Sequence, residues 1–313
     1  MCGIVGLYLK DSALNARLGE LFEPMLIEMT QRGPDSSGFA VYRNPAPEGE
    51  IKAVLQHPDL AFDWAWLAAK LMDRFKVDVD FKRVHSHCLV VLAAKEVGLR
   101  AEISALVPEV NVVSVGRYIE IYKEVGLPEE VAAFFDLKAM GGTHAIGHTR
   151  MATESAVTTA GSHPFSTGSD LCLVHNGSLS NHNRLRRNLE RYGAVFRTEN
   201  DTEVAANYFD WKLQQGLSLE DALYAGIEDL DGFYTFCIGR SDGFAVLRDP
   251  IACKPAVMAE TEQWVAMASE YRALAHLPGV ESARLWEPEP ATVYVWEGHK
   301  AAGTYRRPLQ RAS

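Results

Sequence analysis

From about residue 141 to residue 296 the chain is a series of short apolar runs separated by turn residues, with helical stretches clustered in the middle. The runs are residues 145–148, 171–175, 232–239, 244–247, 255–259, 264–268 and 291–296. They have the length and apolar character of strands and are too short for buried helices. Three helices are predicted among them. The first covers 182–192, with Asn181 as cap and Gly193 as stop. The second covers 202–213, and the third begins at the capping box Ser218-x-x-Asp221 and ends before Gly232. Strands in blocks with helices between them imply stacked sheets covered by helices.

The N-terminal region is organised differently. Residues 4–9 read as a buried strand. Leu14, Leu18, Leu21, Phe22, Met25, Leu26 and Met29 then recur at helical spacing, with Pro24 expected to kink or divide that helix. A Gly/Pro/Ser loop at 32–38 leads to a strand at 39–42, and 44–49 is a break. From about 50 to 140 the texture changes, with helical segments at 64–75 and 112–125 around an apolar strand at 89–92. This stretch is predicted to be an inserted subdomain. Within it His85-Ser86-His87-Cys88 has metal-ligand residue types, but neighbours on a strand point to opposite faces, so it reads as packing or surface residues.

Composition removes several classes of function. A net charge of −10 argues against a nucleic-acid partner, because phosphate binding requires a basic face. No apolar run approaches the ~18 residues of a membrane span, and the start lacks a signal-peptide pattern. Five widely spaced cysteines without a CxxC indicate neither a disulfide frame nor a zinc site, so a cytoplasmic setting is expected.

One of those cysteines, Cys2, directly follows the initiator methionine. Removal of Met1 would place its thiol on the residue that carries the free α-amine. With reference pKa values near ~8.5 and ~8, the amine can take the thiol's proton without a histidine. Retention of Met1 would block that base. Arg150 follows a short strand and has the fork geometry for a carboxylate, although an arginine there also suits a surface ion pair. Asn176-Gly177 places an amide beside a glycine N–H, two donors suited to an oxyanion. The same dipeptide is a strong turn signal. Asp201 at a helix start is an N-cap, a carboxylate for a substrate ammonium, or both. His163, in Ser162-His163-Pro164, reads as a hydrogen-bonded structural residue rather than a base. Together these side chains describe a pocket for the zwitterion and side-chain amide of glutamine.

The residues that carry this reading also carry a resemblance. The chain resembles the class II glutamine amidotransferases of the N-terminal-nucleophile hydrolase superfamily. The match runs through Cys2-Gly3-Ile4-Val5-Gly6, Arg32-Gly33-Pro34-Asp35-Ser36-Ser37-Gly38, Gly147-His148-Thr149-Arg150, Ser162-His163-Pro164, His175-Asn176-Gly177 and Asp201-Thr202-Glu203. Asp231-Gly232-Phe233-Tyr234, the segment from Arg248 to Pro255, and Ala268-Ser269-Glu270 continue it. The resemblance implies an α+β fold, a four-layer αββα sandwich with an α/β insertion. It also implies Cys2 as nucleophile, Asn176 and Gly177 as oxyanion hole, and Arg150 and Asp201 as clamps on glutamine. Arg32 would lie near the nucleophile, with Thr153 and His163 among the substrate-binding residues. Met151 and Glu154 stand where many relatives have an aromatic residue and a histidine.

A chain ending near Ser313 leaves no room for a synthase domain, so the ammonia acceptor is expected on another polypeptide. The length and the insertion resemble the stand-alone glutaminase-like subunit of split glutamate synthases, and Met25 to Asp35 is similar to the corresponding glutaminase-like chain of N-methylglutamate synthase. That resemblance implies two partners, a glycine-repeat subunit and a flavin-bearing synthase subunit, with FMN and an iron–sulfur cluster held there and no cofactor or metal here. The insertion is expected to dock the partner. The second expectation is a catalytically degenerate scaffold of the same fold within such a complex.

Overall fold

Alternation along the strands decides how the layers stack. The computed structural model describes residues 2–152 and 157–298. Its largest sheet has seven antiparallel strands, in the order Arg284–Trp286, Val257–Glu260, Trp264–Ala268, Gly3–Leu9, His144–Arg150, Ser36–Tyr42, Ile119–Val125. A second sheet has four, in the order Thr292–Glu297, Gly243–Arg248, Gly232–Arg240, Cys172–Leu179.

Successive residues of a strand face opposite sides, and the two cores divide the second sheet accordingly. Cys172, Val174, Phe244, Val246, Tyr294 and Trp296 join the core shared with the seven-stranded sheet. Leu171, Leu173, Ala245, Leu247, Val293 and Val295 join a core formed with the helices Asp201–Gln214 and Leu219–Asp229. The outer face of the large sheet is covered by helix Leu18–Ile27, whose Phe22 and Leu26 lie where a Cβ on Gly147 would be. The sheets meet closely at Gly6, where an added Cβ would come within 2.5 Å of the Phe244 ring and 2.7 Å of the Cys237 sulfur. Helix, sheet, sheet, helix is the observed order of layers, as expected for the α+β sandwich.

The inserted segment has a sheet of its own, ordered Val79–Val84, His87–Ala93, Glu50–Gln56, Asn111–Gly116. Ile51, Ala53 and Leu55 pack with Trp64, Leu67 and Leu71 of helix Trp64–Phe75 in a separate core, while Val54 turns the other way onto the main core.

Three expectations need correction. Residues 112–125 are not helical: they form the strands Asn111–Gly116 and Ile119–Val125, joined by a turn. Val112, Val113, Val115, Ile119 and Ile121 are β-branched, which favours a pleated surface over a helix. Asp170 holds that turn, its carboxylate accepting from the backbone N–H groups of Arg117, Tyr118 and Ile119 at 2.8–2.9 Å. Second, the separate sheet ends at Gly116 rather than near 140, because Ile119–Val125 pairs with Ser36–Tyr42 in the large sheet. Third, of the kink or division expected at Pro24, the division does not occur: Leu18–Ile27 runs through it.

His85 and His87 of the metal-like segment are used in packing: His85 stacks on Phe134 at 4.3 Å, and His87 meets Phe135 edge-on at 4.9 Å.

Candidate active site

Gly3 opens the first strand and pairs with Thr149, so Cys2 lies at the end of the sheet where the neighbouring strand finishes in Arg150. Arg32 anchors that end. Its Nε donates to the Cys2 carbonyl at 3.0 Å and its Nη1 to Glu270 at 2.9 Å. The other Glu270 oxygen lies 2.8 Å from Arg272 Nε. Ser269 completes the clasp, its Oγ accepting from Ile4 N at 3.0 Å and its own N–H donating to Ile4 O at 2.9 Å. Gly33 lies on the Arg150 backbone so closely that a Cβ would fall 2.5 Å from Arg150 N. Asp35 fixes the same segment, donating from its N–H to Arg150 O at 3.1 Å and accepting from Ala152 N at 2.7 Å.

The second sheet reaches the same end through His148, which donates from Nε2 to the His175 carbonyl at 3.0 Å. Asn176 and Gly177 follow. They are not a turn: Asn176 pairs with Thr235 and Gly177 with Tyr234 inside an antiparallel ladder. Gly177 has φ of +151°, and a Cβ there would collide with Phe233 O at 2.0 Å. The Asn176 side chain is buried, and its Nδ2 is closed off from solvent with no hydrogen-bond partner among the described residues. An orphaned amide donor of this kind is costly unless something else accepts from it.

The start of helix Asp201–Gln214 closes the site. Asn200, not Asp201, is the N-cap, and its side chain accepts from Thr202 N at 2.9 Å. Asp201 is the first helical residue; its Oδ2 accepts from Leu179 N at 2.9 Å and its Oδ1 lies 3.6 Å from His175 Nδ1. Burial works against the Asp201 charge, but the His175 ring and the Leu179 N–H more than offset it and hold the carboxyl at about 2. The Thr202 hydroxyl stands 3.0 Å from His175 Nδ1 and 3.0 Å from His163 Nε2, bridging the two rings, and lies 3.4 Å from Asp201 Oδ1, to which it can donate. His163 in turn lies against His148, with ring centroids 3.8 Å apart.

Arg150 is buried at the strand end, and a Cβ on Gly161 would approach its Nη1 to 3.5 Å. Cys2, Arg32, Arg150, His163, Asn176, Gly177 and Asp201 are thus joined by one chain of contacts across both sheets. Thr153 lies outside the described residues, as do Met1 and Glu154.

Lys123 escaped the sequence reading. It is buried, and its ammonium donates to the carbonyls of Ser162 (2.7 Å), Ala160 (3.2 Å) and Pro164 (3.3 Å). Burial pushes its amine down to about 7. It therefore fixes the loop that carries Gly161 and His163. The signal was present: Ile119, Ile121 and Lys123 share one strand face, which puts a lysine at a core position once the segment is read with period two. In the sequence Thr202 and His148 stand only as members of motifs, and their bridging roles come from the fold.

Burial pushes the imidazoles of His87, His144 and His148 down to about 3, and His163 goes down by the same cause. The folded chain keeps them neutral where the unfolded chain, near pKa ~6.5, takes up protons. Their contribution is therefore complete above about pH 6.5 and is lost as pH falls toward about 3. Each costs about 1.4 kcal/mol per pH unit in that window, so His87, His144 and His148 together remove about 4 kcal/mol by about pH 5.5. Urea denaturation at neutral pH and at about pH 5.5 checks this. A midpoint that does not move would contradict neutral burial.

Two stacked antiparallel sheets with helices on both outer faces, and a cysteine leading into a central strand, define a sandwich of the N-terminal-nucleophile amidotransferase class. Comparison with known proteins gives the family. Residues 148–276 match the glutamine amidotransferase domain. Over 303 residues the chain is 57% identical to the glutamine amidotransferase-like protein GlxB of Rhizobium meliloti (strain 1021), covering 96% of this chain and 100% of that one. The chain belongs to the class II glutamine amidotransferases. The solved structure of glutamine phosphoribosylpyrophosphate amidotransferase from B. subtilis superimposes with a TM-score of 0.64 at 20% identity, which shows the fold. That match covers 99% of this chain, which spans 50% of the length of the solved one. Among the described residues no helix is long and apolar enough to cross a membrane.

Proposed function

We propose that this chain, with Met1 removed, hydrolyses glutamine to glutamate and ammonia through Cys2. The observation that carries the reading is the buried Asn176 Nδ2 without an acceptor, next to a glycine whose backbone cannot tolerate a side chain. Both follow His175, whose carbonyl accepts at 3.0 Å from Nε2 of His148, one residue before the Thr149 that pairs with Gly3. An oxyanion is the missing acceptor: the tetrahedral oxygen formed when thiolate attacks the carboxamide would take the Asn176 amide and the Gly177 N–H.

In this mechanism the α-amine of Cys2 removes the thiol proton, and the protonated amine then gives a proton to the departing ammonia. Water, activated by the same amine, releases glutamate from the thioester. Arg150 holds the α-carboxylate and Asp201, kept ionised, faces the α-ammonium. Arg32 acts on the nucleophile's backbone, with Thr153 completing the substrate contacts. His163 acts through Thr202 and helps to set the wall of the pocket. The finer reading, supported by resemblance alone, places the chain in the cytoplasm within a multisubunit N-methylglutamate synthase-like or glutamate synthase-like flavoenzyme. A flavin-bearing subunit, with FMN and an iron–sulfur cluster, and a glycine-repeat subunit would receive the ammonia.

The test is turnover by the purified chain and by its assembled complex. Stoichiometric glutamate and ammonia from glutamine are expected, with no turnover of acyl amino acids, and intact mass should show Met1 gone. A chain still carrying Met1, or one that cleaves acyl amino acids instead, would overturn the proposal.

A further inference from the structure

Residues 158–164 form a loop that meets both residues proposed to clamp glutamine. A Cβ on Gly161 would approach Arg150 Nη1 to 3.5 Å, and the Gly161 carbonyl accepts from Asn200 Nδ2 at 3.3 Å. Asn200 caps the helix that begins with Asp201. The place of this loop therefore bears on the spacing of the two charges offered to the substrate. The loop is tied within itself: the Thr158 hydroxyl accepts from Gly161 N at 3.1 Å, and the Thr158 carbonyl accepts from the Ser162 hydroxyl at 2.9 Å.

Ile119–Val125, the last strand of the large sheet, holds the loop. Neighbouring residues of a strand face opposite sides, and this strand uses both. Lys123 donates to the carbonyls of Ala160, Ser162 and Pro164 on one face. Glu124, on the other face, accepts from the Thr159 hydroxyl. The loop thus wraps the edge of the strand, gripped by a side chain on either side of it.

Glu124 also reaches the inserted segment. Among the described residues its partners are all neutral donors: the Thr159 hydroxyl, Val125 N at 3.0 Å and the Ser86 hydroxyl at 2.5 Å. A hydrogen bond to a carboxylate is about twice as strong as a neutral one, so the loss of either hydroxyl is felt. Ser86 is the buried tip of the hairpin between Val79–Val84 and His87–Ala93, and its carbonyl accepts from His57 N at 3.0 Å. One carboxylate therefore joins the insertion to the loop beside Arg150. In the His85-Ser86-His87-Cys88 run, the serine is the member that connects to the glutamine site.

We propose that Glu124 is a positioning residue for glutamine binding: with Ser86 of the inserted hairpin it latches residues 158–164 where Arg150 and Asp201 are set for the two charges of the substrate. The latch rests on the glutamine reading above and adds the insertion to it. Its effect falls on substrate binding, because the contacts run to the clamps and not to Cys2 or Asn176.

The test uses the full-length protein and reads KM against kcat. Glu124→Ala, Ser86→Ala and Thr159→Val should each raise the glutamine KM by about tenfold while kcat stays within about twofold. Thr159→Ser keeps the donor and should keep the wild-type KM. A lower melting temperature with KM unchanged would show a merely structural contact and overturn the proposal. Thr159→Ser behaving like Thr159→Val would overturn it too. If Glu124→Ala does not fold, Thr159→Val decides, since there Glu124 keeps Ser86 and Val125 N as partners.

Calorimetry with glutamine in the Cys2→Ala background separates the latch from the reading beneath it. If that parent binds no glutamine and the wild-type chain hydrolyses none, the glutamine reading fails and the latch falls with it. A parent that binds glutamine, with Kd unchanged by Thr159→Val, overturns the latch alone.

Discussion

Cys2→Ala should reduce glutamine hydrolysis by about 10⁴-fold or more while leaving the fold intact. No other cysteine can substitute. Cys88, Cys172 and Cys237 are buried, with Cys88 and Cys172 pushed up to about 12 by their surroundings, and Cys253 is exposed on the Arg248–Pro255 segment. The fold does not depend on the Cys2 thiol, because what anchors the residue is its carbonyl, held by Arg32 at 3.0 Å. Stability should therefore stay within about 0.5 kcal/mol of wild type. In the proposed flavoenzyme complex, the informative measurement compares product formation from glutamine with that from free ammonia. Loss of the first with retention of the second is the expected pattern. If the glutamine-dependent rate survives in Cys2→Ala, the chain is a scaffold rather than a glutaminase.

The second large effect is expected at Asn176. Removing one oxyanion donor typically costs about 10²–10³ in kcat, and Asn176→Ala removes the amide whose Nδ2 has no partner among the described residues. Because that donor would act only once the tetrahedral oxygen forms, kcat should fall while KM changes little. Stability should fall much less than for an ordinary buried amide, since no hydrogen bond from Nδ2 is broken. Steady-state kinetics and melting on the same variant separate these effects. A KM-only change would reassign Asn176 to ground-state binding.

Much of the second half of the chain was legible because short apolar runs with turn residues between them admit few alternatives to strands. The Ser218 cap was equally plain, and its hydroxyl accepts from Asp221 N at 3.0 Å as the capping box implies. The stretch 112–125 misleads because its apolar residues fit a helical period over part of the window, and β-branched composition was the stronger signal. Asn176-Gly177 shows a different limit. Its turn propensity is genuine, but pairing with Thr235 and Tyr234 overrides it, and no local feature discloses that ladder. The capping of the Asp201 helix likewise depended on which of two adjacent polar residues faces Thr202 N, a question of backbone direction.

By itself the sequence determined stacked sheets covered by helices, which follow from periodicity, and the family with its sandwich, which follows from the order of the motifs along the chain. The side chains proposed to handle glutamine come from the same motifs. Only the tertiary structure decided that Asn176 has an amide without an acceptor among the described residues, that Lys123 holds three carbonyls of the His163 loop, and that Thr202 bridges two histidines. These depend on which atoms from distant segments are left facing one another once the sheets stack, and burial then sets the strength of each contact.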